Sequence, residues 1–510
     1  MVARTVACSY LIPYRFGSST PQSEAEPVGR GNEGEQCTLE TLYTTGNSLE
    51  EPGFLPIDLR HPFLFYIGHL AAFAWNKAAP LLRLEPFRPE FDVLFERGID
   101  PDVDDPAKCH DHPDVPDAWP AVEQILAYRD RVRAAILACG KERVTSALDG
   151  PDGILDMLLE HDLMHIETLY YMLAQYERER KPYVDARAPA PRVGADTQEW
   201  NFVHIPTGAA ALGRTRPSDG LDAQAKRQFG WDNEFGDESG LVVHVHDFRV
   251  AQHPVTVRQF AAFIASGGYK DANLWRDADW QWRKKQGVEY PASWRQKADF
   301  GSGRYESTPS SLDQILKGFE LVGALHRSRD LEAFQDVPVF CSLAEARAFA
   351  KWKQCRLPTE GEWQRMAYGR RADASKVDAL AVWQRTREDA SATPGVHGNF
   401  GFHCTLPCPV GSFPAGDSDF GVSGLIGDGW ELTDSEFMPL RGFSPSPHYP
   451  NYSADFFDGK HFVLKGASWA TDAKLVRPSF RNWYQFNYPF VFAKFRLVMD
   501  KVHVHEDATS

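Results

Sequence analysis

The sequence lacks the features of a protein that binds nucleic acid or membrane. Its 55 basic and 70 acidic residues give a net charge of −15, whereas a nucleic-acid surface needs clustered Lys and Arg. No apolar run approaches the roughly 18 residues that span a bilayer. The short apolar run Val6–Ile12 has no clear small-residue cleavage site after it, so no signal peptide is predicted. These absences predict a cytoplasmic protein.

Cysteine is also scarce, with 8 residues in a chain of 510. Most of these cysteines are far apart, unlike the dense spacing of a disulfide scaffold. Cys404 and Cys408 follow His403 closely, but a zinc site there would lack a second pair of ligands. We therefore expect reduced thiols, which agrees with a reducing compartment.

The length of the chain exceeds what one ordinary hydrophobic core supports, so two or three domains are expected. Residues 1–50 show no periodicity and predict an irregular lead-in. Residues 51–185 carry apolar side chains at helical spacing and predict an up-down helical bundle. After a Pro- and Ala-rich linker, residues 196–500 predict an α+β domain rich in loops, with helices over Val257–Ser266 and Leu343–Gln354. The β-like runs are Phe202–Ile205, Leu241–Val250, Phe462–Lys465 and Ala493–Val498.

The clearest candidate for chemistry is a histidine pair in the predicted helix Ile154–Tyr176. His161 and His165 are four residues apart, so they lie on one face of that helix. His69, on an earlier predicted helix, is the candidate third ligand. Three neutral imidazoles leave open positions on an ion, which suit hydrolysis with zinc and oxidative chemistry with ferrous iron. The residues alone do not choose the metal.

Two acidic residues lie next to this pair. Asp162 or Glu167 could complete a site of two histidines and one carboxylate, but both are predicted to point away from the histidine face. Glu167 is better suited to accept a ring N–H from a ligand histidine and so to orient that ring.

Four motifs occur in order along the second half of the chain. They are Pro254–Phe260, Cys355–Trp363, Gly424–Thr433 and Leu464–Trp469. Together they resemble the formylglycine-generating-enzyme, or sulfatase-modifying factor, fold, which is similar to C-type lectins. Enzymes that modify sulfatases need a late cysteine pair, whereas this sequence has no cysteine after Cys408. Sulfatase modification is therefore not expected.

The helical segment narrows this resemblance. Its His-x3-His-x-Glu pattern is similar to the DinB-like family, and the two domains together resemble the non-haem iron sulfoxide synthases of ergothioneine and ovothiol biosynthesis. The predicted fold is thus a DinB-like helical bundle followed by a loop-rich, C-type-lectin-like domain. Further stretches resemble the sulfoxide synthase half of the fungal ergothioneine enzymes: Ile57–Pro62, Phe95–Asp104, Tyr452–His461 and Arg481–Gln485.

The resemblance implies that His69, His161 and His165 hold Fe(II). The implied reaction joins the thiol of cysteine or γ-glutamylcysteine to the imidazole of hercynine, uses O2 and gives a sulfoxide. Three histidines would leave half of an octahedral iron for the thiol, O2 and the imidazole, and the metal would orient both partners. Small-molecule substrates and O2 are the expected partners, and no obligate protein partner is inferred.

Family members also use a tyrosine hydroxyl as a proton donor. Tyr449 and Tyr452 lie in the matching segment, and Tyr449 is favoured. The alternative is that both tyrosines only pack in an aromatic loop.

Substrate-binding residues are implied as well. Asn482 and Trp483 match the segment that lines the pocket for an imidazole betaine. Arg97 and Arg481 are the candidates to bind substrate carboxylates, for which a guanidinium has the right geometry.

Two departures from the bacterial family pattern leave the substrates open. Tyr484 replaces an Asp, and Met164 replaces a Gln before the second helical histidine. An ovothiol-type reaction on histidine is therefore the main alternative, and a zinc DinB-like thiol transferase or hydrolase and a lectin-like binding module are others. Fungal members carry a histidine methyltransferase upstream, for which this sequence has no room, so another protein is expected to make the methylated substrate, or the substrate differs.

Overall fold

The computed structural model divides the chain into two compact units. Among the described residues, unit 1 extends to Asp162 and unit 2 begins at Leu163, so the division falls within one helix. The predicted lead-in and Arg97 lie outside the described residues. The structure describes residues 57, 60–96, 116–148, 153–175, 200–215, 229–237, 241–298, 311–324, 328–371 and 392–499.

Unit 1 is helical, as its periodicity predicts. Helix α1 is apolar on nearly every side, because 14 of its 16 residues are buried, and it lies against α2 and α3. None of the described helices is both long and apolar enough to cross a membrane. The helices are α1 (Phe63–Ala78), α2 (Pro89–Leu94), α3 (Val122–Ala138), α4 (Lys141–Leu148) and α5 (Ile154–Gln175), the last of which continues into unit 2.

The rest of unit 2 mixes short strands, helices and long loops. Several of its helices begin at an N-cap: Thr256, Ser342 and Thr359 each accept the backbone N–H three residues on. The two predicted helices are confirmed to within one or two residues at their ends. The helices are α6 (Val257–Ala265), α7 (Asp277–Lys285), α8 (Leu312–Gly318), α9 (Leu343–Trp352) and α10 (Glu360–Tyr368).

The described strands of unit 2 form four small sheets. The largest has the order β10-β9-β8-β11 and pairs Trp430 with Gly466 and Trp483 with Val463. The predicted strand over 241–250 divides into β3 and β4, and the one over 493–498 divides into β11 and β12. The strands are β1 (Phe202–Ile205), β2 (Gly208–Ala211), β3 (Val242–Val245), β4 (Phe248–Ala251), β5 (Trp294–Gln296), β6 (Phe319–Leu321), β7 (Arg329–Asp330), β8 (Trp430–Glu436), β9 (His461–Gly466), β10 (Asn482–Gln485), β11 (Ala493–Lys494) and β12 (Val498–Met499).

A fully buried carboxylate, Glu234, connects distant loops of unit 2. It accepts hydrogen bonds from Arg477 (Nε to Oε2, 2.9 Å), from the Ser479 hydroxyl (2.6 Å) and from the Trp231 backbone N–H (2.9 Å). Burial alone would raise the pKa of Glu234, but the Arg477 guanidinium and these donors outweigh it and lower the pKa to about 2.

We expect Glu234→Gln to destabilise the protein in a way that depends on pH. The lowered pKa means that the carboxylate stabilises the fold above pH 4.5 and that this stability is lost as pH falls towards 2. A shift of this size corresponds to about 3 kcal/mol. Urea unfolding should therefore show a gap of about that size between wild type and variant at pH 7, narrowing below pH 4.5. An equal gap at pH 7 and pH 3 would contradict this.

Candidate metal centre

His69 lies in the middle of α1, and one hydrogen bond fixes its orientation. Its Nδ1 is 2.8 Å from the Phe95 carbonyl oxygen. Because a carbonyl only accepts, Nδ1 carries the proton and Nε2 keeps the lone pair that a metal requires. Gly68 allows this approach, since a Cβ there would lie 2.6 Å from the Phe95 ring. Burial lowers the pKa of His69 to about 4 in spite of the hydrogen bond, so the ring is neutral at pH 7.

His161 lies on α5 and is held by stacking. Its ring lies 3.6 Å from the Phe73 ring, at an interplanar angle of 8°. Its centroid is 5.1 Å from that of His69. Both histidines are buried, and the aromatic contacts restrict how their rings can turn.

The structure brings the three predicted ligands together. One ligand atom each of His69, His161 and His165 lies within 4.8 Å of the others, and this is the one such group of three or more found in the part of the chain that the structure describes. The donor set of three imidazole nitrogens fits a transition metal, which these three residues would hold. Asp162 is outside the group, with Oδ1 3.9 Å from Nδ1 of His161.

Glu167 does not accept a ring N–H from a ligand histidine, the role that its position in the sequence predicts. Its carboxylate accepts three hydrogen bonds of 2.7 Å, from Trp430 Nε1, Ser468 Oγ and Thr471 Oγ1. Burial raises the pKa of Glu167, although these hydrogen bonds oppose the rise. The prediction that it accepts a ring N–H from a ligand histidine is therefore wrong. Two of its partners, Trp430 and Ser468, belong to the motifs Gly424–Thr433 and Leu464–Trp469.

The two candidate tyrosines differ in their surroundings. Tyr452 is buried, and its hydroxyl lies 3.5 Å from Sδ of Met164, the residue before His165. Its ring stacks on Trp231 at 3.9 Å, a neighbour that sequence spacing gave no reason to expect. Tyr449 is half-buried, and its ring centroid is 5.5 Å from that of Tyr452.

The predicted substrate-facing pair lies on β10. Trp483 places its ring edge-on to Tyr452 at 5.2 Å. Neighbouring strand residues point to opposite faces of a sheet, so Asn482 shares the face of Tyr484, which contacts Tyr171 of α5. The Asn482 side-chain oxygen accepts the Trp483 backbone N–H at 2.9 Å. The structure therefore brings Trp483, but not Asn482, beside Tyr452.

Arg481 has a different role from the one expected. Its buried guanidinium donates to both carboxylate oxygens of Glu360, at 2.8 and 3.0 Å, and to the Asn233 and Met438 carbonyls. These four bonds assign Arg481 to holding Glu360 rather than a substrate, against the prediction. It borders a cavity of about 850 Å³ whose lining includes neither Tyr452 nor any of the three candidate ligand histidines.

Comparison with known proteins identifies the family. Residues 189–501 match the Sulfatase-modifying factor enzyme 1-like domain. The hercynine oxygenase of Mycobacterium tuberculosis is 31% identical over 355 residues, which cover 69% of this chain and 72% of that protein. The chain therefore belongs to the family defined by this domain match and by its similarity to the hercynine oxygenase. The predicted family is thereby confirmed, whereas the DinB-like character of the helical bundle and the domain boundaries stay predictions.

Fungal relatives match more of the chain. Ergothioneine biosynthesis protein 1 of Neurospora crassa is 30% identical over 508 residues, covering 87% of this chain and 54% of the relative. Its namesake in Schizosaccharomyces pombe is 28% identical over 463 residues, covering 87% and 52%. The chain thus spans about half the length of these two fungal members of the family.

Proposed function

We propose that this chain is an Fe(II)- and O2-dependent sulfoxide synthase that joins cysteine or γ-glutamylcysteine to hercynine. The observation that carries the proposal is the group of three histidine nitrogens in a chain 31% identical to a hercynine oxygenase. The reaction balances when one thiol, one imidazole C–H and one O2 give one sulfoxide and one water. Four electrons reduce O2, two from forming the carbon–sulfur bond and two from oxidising the sulfur.

His69, His161 and His165 would hold the iron, which when bound supplies the redox chemistry with O2. The Phe95 carbonyl keeps His69 in the tautomer that presents Nε2, and the Phe73 ring holds the plane of His161. Burial of His69 and His161 limits the access of water to their side of the site.

Aromatic side chains in unit 2 would bind the imidazole substrate. Tyr452 contacts both Trp231 and Trp483, and its hydroxyl reaches Met164, the residue before His165. Faces of Trp and Tyr attract quaternary ammonium groups, and hercynine carries one. This favours hercynine over histidine, whose amino group can also find hydrogen-bond acceptors.

Oxygen uptake with defined substrate pairs tests the proposal. Protein loaded anaerobically with Fe(II) would be exposed to O2 with hercynine or histidine, each with cysteine or γ-glutamylcysteine. We expect uptake with hercynine and one thiol, and a product with the mass of both substrates plus one oxygen minus two hydrogens. No uptake with any pair would overturn the substrate class. Uptake with histidine alone would favour the ovothiol-type reaction, and stoichiometric zinc with hydrolysis would favour a transferase or hydrolase.

Replacing each tyrosine separately tests the proton donor. We expect Tyr449→Phe to lower kcat by about 10²–10⁴-fold, the usual contribution of a general acid, with little change in KM. Tyr452→Phe removes the corresponding hydroxyl from a ring that packs against Trp231 and Trp483. We expect this variant to have a higher KM and a kcat within about tenfold of wild type. Steady-state kinetics that show the reverse pattern would make Tyr452 the donor.

A further inference from the structure

The carboxylate of Glu167 occupies a receptor built entirely from buried donors of unit 2. Oε1 accepts from Trp430 Nε1 and Ser468 Oγ, and Oε2 accepts from Thr471 Oγ1, each at 2.7 Å. All three donor residues are buried, with at most 2% of their surface exposed. A buried carboxylate with three short hydrogen bonds is held strongly, because losing any of them strands a polar group away from water.

The donors of this receptor are themselves held in place. Trp430 begins β8, and its backbone N–H bonds to the Phe492 carbonyl at 2.8 Å. The Ser468 hydroxyl accepts from the Ala470 N–H at 3.1 Å, and the Thr471 hydroxyl accepts from the Ser468 N–H at 2.9 Å. With backbone donors on their accepting sides, both hydroxyls can direct their protons to the carboxylate.

Glu167 lies two residues after His165 on α5. Two residues turn a helix by roughly 200°, so the carboxylate anchors the side of α5 that lies away from the histidine face. A helix fixed on that side cannot rotate or slide without breaking the three hydrogen bonds. Catalytic and metal sites need their ligands held within about 0.5 Å, and anchors of this kind provide that precision.

We propose that Glu167 is a positioning residue, which fixes the rotation of α5 and so places His165 and His161 for metal binding. The proposal rests on the proposed function only in requiring that the three histidines bind a metal. Residues hydrogen-bonded to a metal ligand typically change metal affinity by about 10–100-fold, and Glu167, which holds the helix of two ligands rather than a ligand itself, is expected to act within that range.

Metal affinity of the full chain tests this role without any turnover. Fe(II) binding would be measured anaerobically against a chelator, and Co(II) would report ligand geometry through its absorption spectrum. We expect Glu167→Gln to weaken Fe(II) binding by about 10–100-fold and to alter the Co(II) spectrum. Trp430→Phe keeps an aromatic side chain and removes one of the three donors, so a smaller loss is expected.

Glu345→Gln is the matched control. Glu345 is also fully buried in unit 2, and it also accepts three hydrogen bonds, two from Ser342 and one from the Tyr269 hydroxyl. We expect it to lower thermal stability comparably while leaving Fe(II) affinity within about twofold of wild type. Equal metal affinity in wild type and Glu167→Gln, or equal losses in both Gln variants, would overturn the positioning role. If His161→Ala binds Fe(II) as tightly as wild type, the three histidines do not form the metal site. That outcome refutes the proposed function, on which the role of Glu167 rests, and is distinguishable from the two outcomes above.

Discussion

His69→Ala is expected to abolish stoichiometric Fe(II) binding and to lower kcat/KM by at least about a hundredfold. Loss of a residue hydrogen-bonded to a ligand already costs about 10–100-fold, and here one of the three proposed ligands is removed. Two remaining imidazoles on one helix turn provide a much weaker site. Iron content after anaerobic loading and O2 uptake with hercynine and a thiol would measure the two effects.

His61→Ala provides the control for this experiment. His61 is also buried, lies just before α1, and packs on Phe65 at 4.0 Å, yet it is outside the metal-binding group. Its loss should lower stability through packing and leave iron stoichiometry unchanged. If His69→Ala retains one tightly bound iron per chain, the three-histidine centre is refuted, whatever the activity of the variant.

The sequence predicted those parts of the site that depend on local spacing. The interval of four residues between His161 and His165 was enough to place both on one face of α5. Apolar periodicity located α5 to within one residue at its end, and the helix predicted over Leu343–Gln354 starts at the same residue as α9. These features are properties of short segments, so a single sequence contains them.

Contacts between distant segments were not predictable in this way. Glu167 finds Trp430 and Ser468 more than 250 positions away, and Arg481 finds Glu360 after 121. The sequence alone does not show whether a charged residue near a motif binds a substrate or pairs with a buried residue of opposite charge. The role expected for Arg481 failed for this reason, because its partner is fixed by tertiary packing alone.

Glu431→Gln is expected to destabilise unit 2 by about 3–5 kcal/mol, the usual cost of removing one partner from a buried ion pair. Glu431 and Arg496 are both fully buried. Arg496 donates Nε to one carboxylate oxygen and Nη2 to the other, the second at 2.9 Å. Without the carboxylate charge, the guanidinium would stay buried and uncompensated, facing one amide oxygen of the new Gln and backbone carbonyls such as those of Gln252 and Ser423 at 3.1 Å. Urea unfolding followed by tryptophan fluorescence would measure the loss.

The double variant Glu431→Leu/Arg496→Met separates the charge from the packing. This variant removes both charges and keeps a similar side-chain volume. We therefore expect its loss in free energy of unfolding to be about 2–3 kcal/mol smaller than the summed losses of the two single variants, Glu431→Leu and Arg496→Met. Asp330→Asn, in the exposed pair with Lys297, should cost no more than about 1 kcal/mol. Additive losses at positions 431 and 496 would mean that the pair contributes no coupling. The Gly424–Thr433 motif would then depend on its backbone and its apolar side chains rather than on this charge.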